Sequence, residues 1–213
     1  MQMKEYIGRA LLACEESQEI TKALRARGWE AFSCDLQDCS GGRPEWHIKG
    51  DVRHQLKVPY DLVIFHPDCT RLTNTVSVWL EKKDLWAEVR AAAAFFNLRH
   101  EFNAPFVATE NPIPHKYAKE LIGMYDQLIQ PYHFGHPERK GTCFWLKGLP
   151  PLVHTKNVYK EMLARPKKER NRIQWIGPSK ERAKLRAKTF PGIAEAIADQ
   201  WTNFYINEMT KDL

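Results

Sequence analysis

Two apolar runs in this chain each end on a residue that can do chemistry. Cys69 lies in His66-Pro67-Asp68-Cys69-Thr70, directly after Leu62-Val63-Ile64-Phe65, and Glu110-Asn111-Pro112 follows Phe106-Val107-Ala108. A cysteine thiolate is a nucleophile, and a carboxylic acid beside it can donate a proton to the group under attack. Ligands of open α/β sheets bind outside the carboxyl ends of the strands, so residues at such ends point toward a site. Each residue alone also has a plainer reading. A free cysteine is commonly a small buried hydrophobe, and a glutamate before a helix is commonly a favourable charge at its N-terminus.

The elements that must position these residues follow from apolar runs and turn signals. Ala10-Leu11-Leu12-Ala13 reads as a strand, Ser17 to Arg27 as a helix capped by Ser17 and stopped by Gly28, and Glu30 to Cys34 as a second strand. A short third strand ends near Lys49-Gly50-Asp51-Val52, Leu62 to Phe65 is the fourth, and an alanine-rich helix around Ala91-Ala92-Ala93-Ala94 leads to the fifth at Phe106 to Thr109. This alternation predicts an α/β fold with a mostly parallel sheet and helices on both faces. A helix over Tyr117 to Met124 precedes Gln127 to Tyr132, a turn at Gly135-His136-Pro137 and Thr142 to Leu146, which predicts a late antiparallel hairpin. Residues 147–177 are basic and interrupted by Pro150, Pro151 and Pro166, which predicts a mobile connection with one helical turn at most. The chain then reads as a basic helix from Lys180 to Lys188, a break at Pro191-Gly192 and an amphipathic helix through Trp201.

The 213 residues fit one domain spanning 1–213, and 43% hydrophobic with 27% charged residues is a globular composition, neither a disordered tail nor a disulfide scaffold. The opening Met1-Gln2-Met3-Lys4-Glu5 lacks the pattern of a secretory signal, which predicts a cytoplasmic protein whose five cysteines are free. A net charge of +6, with basic residues crowded between Lys156 and Lys188, suits an anionic partner such as nucleic acid or a nucleotide. Cys34, Cys39 and His47 match no closed tetrahedral metal spacing, so no metal site is assigned. The loop Gly41-Gly42-Arg43-Pro44-Glu45-Trp46 either folds over a ligand with Trp46 as a stacking face or is a surface loop that Trp46 anchors.

Several short motifs occur in one order: Ala13-Cys14-Glu15-Glu16-Ser17, Asp35, Gly50-Asp51-Val52, Pro67-Asp68-Cys69, Glu110-Asn111-Pro112, Phe134 to Lys140, and Phe190 to Ala198. In that order the chain, from Leu11 to Trp201, resembles the cytosine methyltransferases that act on ring carbon 5. More closely, it resembles small phage and prophage relatives of those enzymes that lack a large target-recognition domain. The resemblance implies a Rossmann-like fold that binds S-adenosyl-L-methionine. Asp35 with Leu36, and Asp51 with Val52, match the ribose and adenine positions. Cys14, Glu15, Glu16, Ser17 and Pro67 fall at the rest of the cofactor site. Cys69 matches the nucleophile that adds to carbon 6, Glu110 the acid on the ring nitrogen, and Arg139 the cation on the ring carbonyl or a phosphate; Thr70, Asn111, Pro112 and Lys140 match substrate contacts. These roles predict a lowered Cys69 pKa and a raised Glu110 pKa. For Arg139 and Lys140 a solvated surface turn is the competing reading.

The chain departs from the family in two places. The first turn, Ala13 to Gln18, has none of the family's glycines, so the methionine end of the cofactor must be held differently, with Glu15 or Glu16 as candidates for its amino group. Only residues 147–177 stand where DNA enzymes insert target recognition, so the substrate is DNA with relaxed specificity, DNA presented by a partner, or a free pyrimidine nucleotide. A catalytically lapsed member that binds DNA or a nucleotide remains an alternative, as does an enzyme transferring a different one-carbon unit.

Overall fold

In the computed structural model, which describes residues 6–179 and 181–211, continuous apolar runs along the central strands set the architecture. Strands β1 (Arg9–Ala13), β2 (Glu30–Asp35), β3 (His47–Lys49), β4 (Leu62–Phe65), β5 (Phe106–Pro112), β6 (Gln127–Ile129) and β7 (Thr142–Lys147) form one sheet in the order β3-β2-β1-β4-β5-β7-β6. β1 to β5 run parallel, while β7 runs antiparallel to both β5 and β6. The central strands are buried on both faces, as parallel strands must be. Ala10, Leu12, Leu62, Ile64 and Ala108 face helices α1 (Glu19–Ala26) and α7 (Pro191–Thr210). Leu11, Ala13, Val63, Phe65 and Val107 face the other way, toward Phe95 and Leu98 at the end of helix α2 (Trp86–Asn97). Helix α3 (Lys116–Ile122) packs with α2 and β7 on that side, through Phe96, Ala118, Ile122 and Trp145.

Three local expectations are corrected. Ser17 does not cap α1: the residue before the helix is Gln18, at φ 58, and the first helical donors go instead to the Glu15 carboxylate. Gly28 does follow the helix end, at φ 90. β5 runs three residues past Thr109, because β7 pairs with it through Glu110↔Phe144, Asn111↔Cys143 and Pro112↔Thr142. Pro191 and Gly192 are not a break but the first residues of α7, where a missing N–H and a fixed φ cost nothing. The His136 imidazole Nε2 accepts from the Gly192 N–H at 2.9 Å, satisfying a donor that the helix leaves free.

The connection over 147–177 is better built than expected. It holds two short helices, α4 (Tyr159–Ala164) and α5 (Lys167–Arg170), and buries Leu152, Met162 and Ile173. Two glutamine side chains act as surrogate strand partners for its start. Gln127 exchanges two hydrogen bonds with the Leu152 backbone, and Gln200 does the same with Val153. A basic helix α6 (Arg182–Ala187) follows; Lys180, expected to begin it, and Met1 to Glu5 lie outside the described residues. No described helix is long and apolar enough to cross a membrane.

Candidate functional site

Register lines up the chemistry along one edge of the sheet. The last rungs, Ala13↔Cys34, Ala13↔Phe65 and Phe65↔Thr109, are followed one residue on by Cys14, Asp35, His66 and Glu110. β1 lies between β2 and β4, so the connections from β1 and β4 leave in opposite directions and open a crevice, which is where such sheets bind ligands.

On one side of the crevice stands the turn from β1 into α1. Its backbone takes left-handed conformations at Cys14 (φ 61) and Gln18 (φ 58), as a glycine-rich turn does, but with side chains in place. Each costs about 1–2 kcal/mol for an L-residue, so the surroundings must hold them. The Cys14 N–H donates to the Cys34 carbonyl at 2.7 Å, and the buried Gln18 amide bonds Ser33 and both the N–H and the carbonyl of Arg43. Gly41 lies so close to Gln18 and the Ser17 carbonyl that a Cβ there would sit 2.5–2.6 Å from them. The glycine loop is therefore clamped to this turn. Trp46 lies beneath the guanidinium groups of Arg25 and Arg43, each 5.0 Å from its ring, so it anchors the loop.

This arrangement corrects one assignment. Glu15 is 5% exposed and is taken up by the helix: it accepts from Ile20 N–H at 2.8 Å, Thr21 N–H at 3.3 Å and Thr21 Oγ1 at 2.6 Å. Burial pushes its carboxyl up, against His66 and those hydrogen bonds. Glu16 is similarly engaged, accepting from Ser40 N–H through its backbone and its carboxylate, and Ser17 is buried. The Cys14 thiol is pushed well up, first by burial and then by Asp35, Cys34 and Asp51.

At the β2 end, one Asp35 oxygen accepts from Gln37 N–H at 2.9 Å and the other has no partner among the described residues, while the Leu36 side chain beside it is 71% exposed. A free carboxylate oxygen next to an exposed apolar side chain suits a ribose diol and a purine face. Asp51 caps the 3-10 turn Val52–Gln55 through Arg53 N–H and pairs with the Arg53 guanidinium at 3.4 Å. Val52 is core. The adenosine half of S-adenosyl-L-methionine thus fits the residues present, whereas Glu15 is not free for its amino group and Glu16 keeps one carboxylate oxygen without a partner among the described residues. Cys34 Sγ donates to Gly50 O, and the His47 ring is shared between Ser33 Oγ at 2.8 Å and Gln37 O at 2.9 Å, so both have other work than metal binding.

On the other side, Pro67 is buried and accepts from Asn111 Nδ2 at 3.0 Å, which ties the Cys69 loop to β5. Asn111 is 1% exposed, and its Oδ1 has no partner among the described residues. The exposed Asp68 accepts from both the N–H and the hydroxyl of Thr70 in a local turn. Cys69 departs from expectation: burial, then Glu110 and Asp68, push its thiol from 9.0 to about 11, against the Arg186 charge and a backbone hydrogen bond that pull it down. Glu110 departs in the opposite direction. Burial raises its carboxyl, but the hydrogen bond and charge of His66, helped by Lys140, outweigh that and hold it below the usual carboxylate range.

His66 has no counterpart among the residues expected to act here, yet its Nδ1 lies 3.2 Å from Glu110 Oε2. Of the two basic residues after Pro137, the structure brings Lys140 to the site. Lys140 lines a cavity of about 10 Å3 with His66, Glu110 and Thr142, and its Nζ donates to Lys188 O at 3.1 Å. Arg139 is held by its backbone N–H on Arg170 O, and its guanidinium makes no hydrogen bond or ion pair among the described residues. Thr189, Phe190 and Ile193 roof the cavity, which has room for about one water and none for a pyrimidine ring. Lys188 also pairs with Glu19 at 3.2 Å, so the α6–α7 segment is fastened over the site. A more open cleft of about 440 Å3, lined by Asn74, Ser77, Val78, His115, Lys116 and Tyr117, contains none of the expected site residues.

The strand order, with β7 reversed beside β5, makes this a Rossmann-like methyltransferase fold. The chain matches no family model and no curated protein. Among solved structures it is similar to a candidate DNA modification methyltransferase encoded within a prophage of Escherichia coli, at 14% identity and TM-score 0.44, over 75% of this chain and 55% of that one. It is also similar to an rRNA methylase from Escherichia coli, at 16% identity and TM-score 0.36, over 65% and 56%. A methyltransferase of Entamoeba histolytica gives 10% identity and TM-score 0.44, over 73% and 58%. The chain spans about half the length of these structures. Likeness at this level concerns fold alone, and the fold assignment rests on strand order and direction.

Proposed function

We propose that the protein is a pyrimidine carbon-5 methyltransferase, with cytosine as its base, in which Cys69 adds to ring carbon 6 and Glu110 serves the ring nitrogen. One observation carries this reading: the Cys69 loop and Glu110 converge from adjacent strand ends, close enough for the carboxylate to raise the thiol, with the Lys140 ammonium at the same place. Asp35, Leu36 and the clamped Cys14–Gln18 turn would hold S-adenosyl-L-methionine, which when bound would supply the methyl group. Glu110 orients the base and Lys140 offers a donor to a ring carbonyl. Exposed Lys156, Lys160, Lys167, Lys168 and Arg172 favour a nucleic-acid phosphate backbone, whose binding would be salt-sensitive. A ring reaches Glu110 only when the Thr189–Phe190 roof lifts. If a duplex is the substrate, the target base must also leave its stack.

The test is transfer of labelled methyl from S-adenosyl-L-methionine to cytosine-containing DNA and, in parallel, to deoxycytidine monophosphate, with Cys69→Ala as control. Product that Cys69→Ala abolishes is the expected result. The closed 10 Å3 cavity and the raised thiol favour one rival, a catalytically inactive protein that binds DNA or a nucleotide. That rival predicts no product from either substrate, and binding that Cys69→Ala leaves intact.

A further inference from the structure

His66 is the first residue past β4, and the rung Phe65↔Thr109 makes it the lateral neighbour of Glu110. Both continue the Leu62-Ile64 and Ala108 alternation, so both side chains leave the sheet toward α1 and α7. They meet there, with side chains 14% and 18% exposed. The opposite ring nitrogen, Nε2, is sealed from solvent without a partner among the described residues, although the ring lines the 10 Å3 cavity. A buried polar atom left unpaired costs about 1–3 kcal/mol and calls for a reason. Glu15 and Glu110 act on the ring directly, and the titratable and charged groups around it, around Glu110 and around Cys69 come from every neighbouring element. Glu15 belongs to the β1–α1 turn, Glu110 to β5, Lys140 to the stretch before β7, Cys69 and Asp68 to the ring's own loop, and Arg186 to α6.

Resting on the reading of Cys69 and Glu110 given above, we propose that His66 is a positioning residue that fixes the Glu110 carboxylate and supplies it with the proton that the pyrimidine needs. The Cys69 thiol first loses its proton to solvent as substrate enters; when the thiolate sulfur then forms its bond to carbon 6, the electron pair displaced from the ring double bond is delocalised toward ring nitrogen 3. The Glu110 carboxylate takes the His66 Nδ1 proton at Oε2, and the carboxylic acid so formed hands that one proton to nitrogen 3, which leaves His66 neutral and Glu110 a carboxylate again. Once carbon 5 carries the methyl group, its proton leaves to solvent as the carbon–sulfur bond breaks and the ring double bond reforms, and nitrogen 3 returns its proton through Glu110 to His66. His66, Glu110 and the Cys69 thiol all end with the protons they began with, and the one proton released overall is that of carbon 5. It also resolves a mismatch, since a carboxyl held below its usual range is a poor acid by itself and becomes a competent one with a proton waiting 3.2 Å away.

His66→Gln tests this, because a glutamine amide can still donate a hydrogen bond to Glu110 but cannot give up a proton. Two readouts are needed. Carbon-13 NMR of the Glu110 carboxyl in the free protein should show its titration midpoint move up in His66→Gln. Covalent capture should be followed from pH 5.5 to 8.5, with S-adenosyl-L-methionine and either a duplex oligonucleotide carrying 5-fluorocytosine or 5-fluorodeoxycytidine monophosphate. The variant should be at least tenfold slower than the parent at pH 7.5, and the ratio should narrow as the pH falls and Glu110 takes its proton from solvent. A purely structural His66 gives a ratio that does not change with pH, and that result, or an unmoved Glu110 midpoint, overturns the relay alone. A parent that is folded and captures neither probe at any pH overturns the methyltransferase reading, and the relay with it.

Discussion

Replacing Glu110 by Gln should make Cys69 more reactive toward simple electrophiles even as it disables the proposed chemistry. A thiol moved from 9.0 to about 11 disfavours its thiolate by about 2.7 kcal/mol, so at pH 8 Cys69 should be alkylated about 100-fold more slowly than an ordinary cysteine. Burial is the largest cause and the Glu110 charge the next. Removing that charge while keeping the side chain's shape should lower the midpoint and leave the burial contribution in place. Asp68→Asn should act in the same direction by a smaller amount, and Arg186→Gln should oppose both, because the charge of that guanidinium pulls the thiol down. The assay is iodoacetamide labelling from pH 7 to 10.5 with residue-resolved mass spectrometry, using the partly exposed Cys39 of the same molecule as reference. In the parent, Cys69 labelling should rise about tenfold per pH unit through pH 10 without a plateau. A plateau below pH 8.5 would show a preformed thiolate and refute the electrostatic account, as would a Glu110→Gln midpoint equal to the parent's. The expected result means that the resting protein holds a thiol, and that deprotonation must accompany substrate entry.

Three further outcomes follow from particular contacts. Glu15→Ala should destabilise the protein by about 1–2 kcal/mol in urea unfolding, since it removes the cap of α1 and leaves the buried Thr21 hydroxyl unpaired; a change within about 0.5 kcal/mol would return Glu15 to the cofactor. Gly192→Ala should cost about 1–3 kcal/mol, because a Cβ there would collide with the Phe134 carbonyl and press on the His136 ring that caps α7; an unchanged denaturation midpoint refutes that close approach. His133 stacks on His154 at 3.7 Å, and burial, then the His154 charge, hold its pKa below 6.5. Its contribution to stability is therefore fully present above pH 6.5 and is lost as the pH falls below it, so hydrogen exchange at Gly135 and Lys156, which bridge these segments, should accelerate at pH 5.5 but not at pH 7.5.

The central sheet was legible because its signal is local: Leu62 to Phe65 is apolar throughout, and a run of that kind between turn signals has little choice but to be a buried parallel strand. What was missed depends on partners distant in sequence. Nothing near Glu110 says that β5 continues through it; β7, more than thirty residues later, supplies the hydrogen bonds that extend the strand and turn the carboxylate toward α7 rather than toward the next helix. Ser17 carries the generic cap signal, yet a left-handed Gln18 turns the chain so that Glu15 reaches the first helical donors instead. Pro191-Gly192 signals a boundary without its direction, and the His136 ring 56 residues away marks it as a beginning. Likewise Arg139 and Lys140 are indistinguishable as basic neighbours, until Gln130 takes the Lys140 N–H and Lys188 its ammonium, which fixes Lys140 on the site.

His66 shows where sequence reading had the means to go further. A histidine before Pro-Asp-Cys reads as a linker between a strand and its functional loop, and nothing in its immediate neighbours marks it. The parity of the strand did carry the signal: residues 62, 64 and 66 share a face, residues 108 and 110 share the same face of the adjacent parallel strand, and a rung joining 65 to 109 forces 66 and 110 together. Only the register had to be known. Once it is, an imidazole beside a buried carboxylate follows from a period of two, and with it the proton that the carboxylate would otherwise lack.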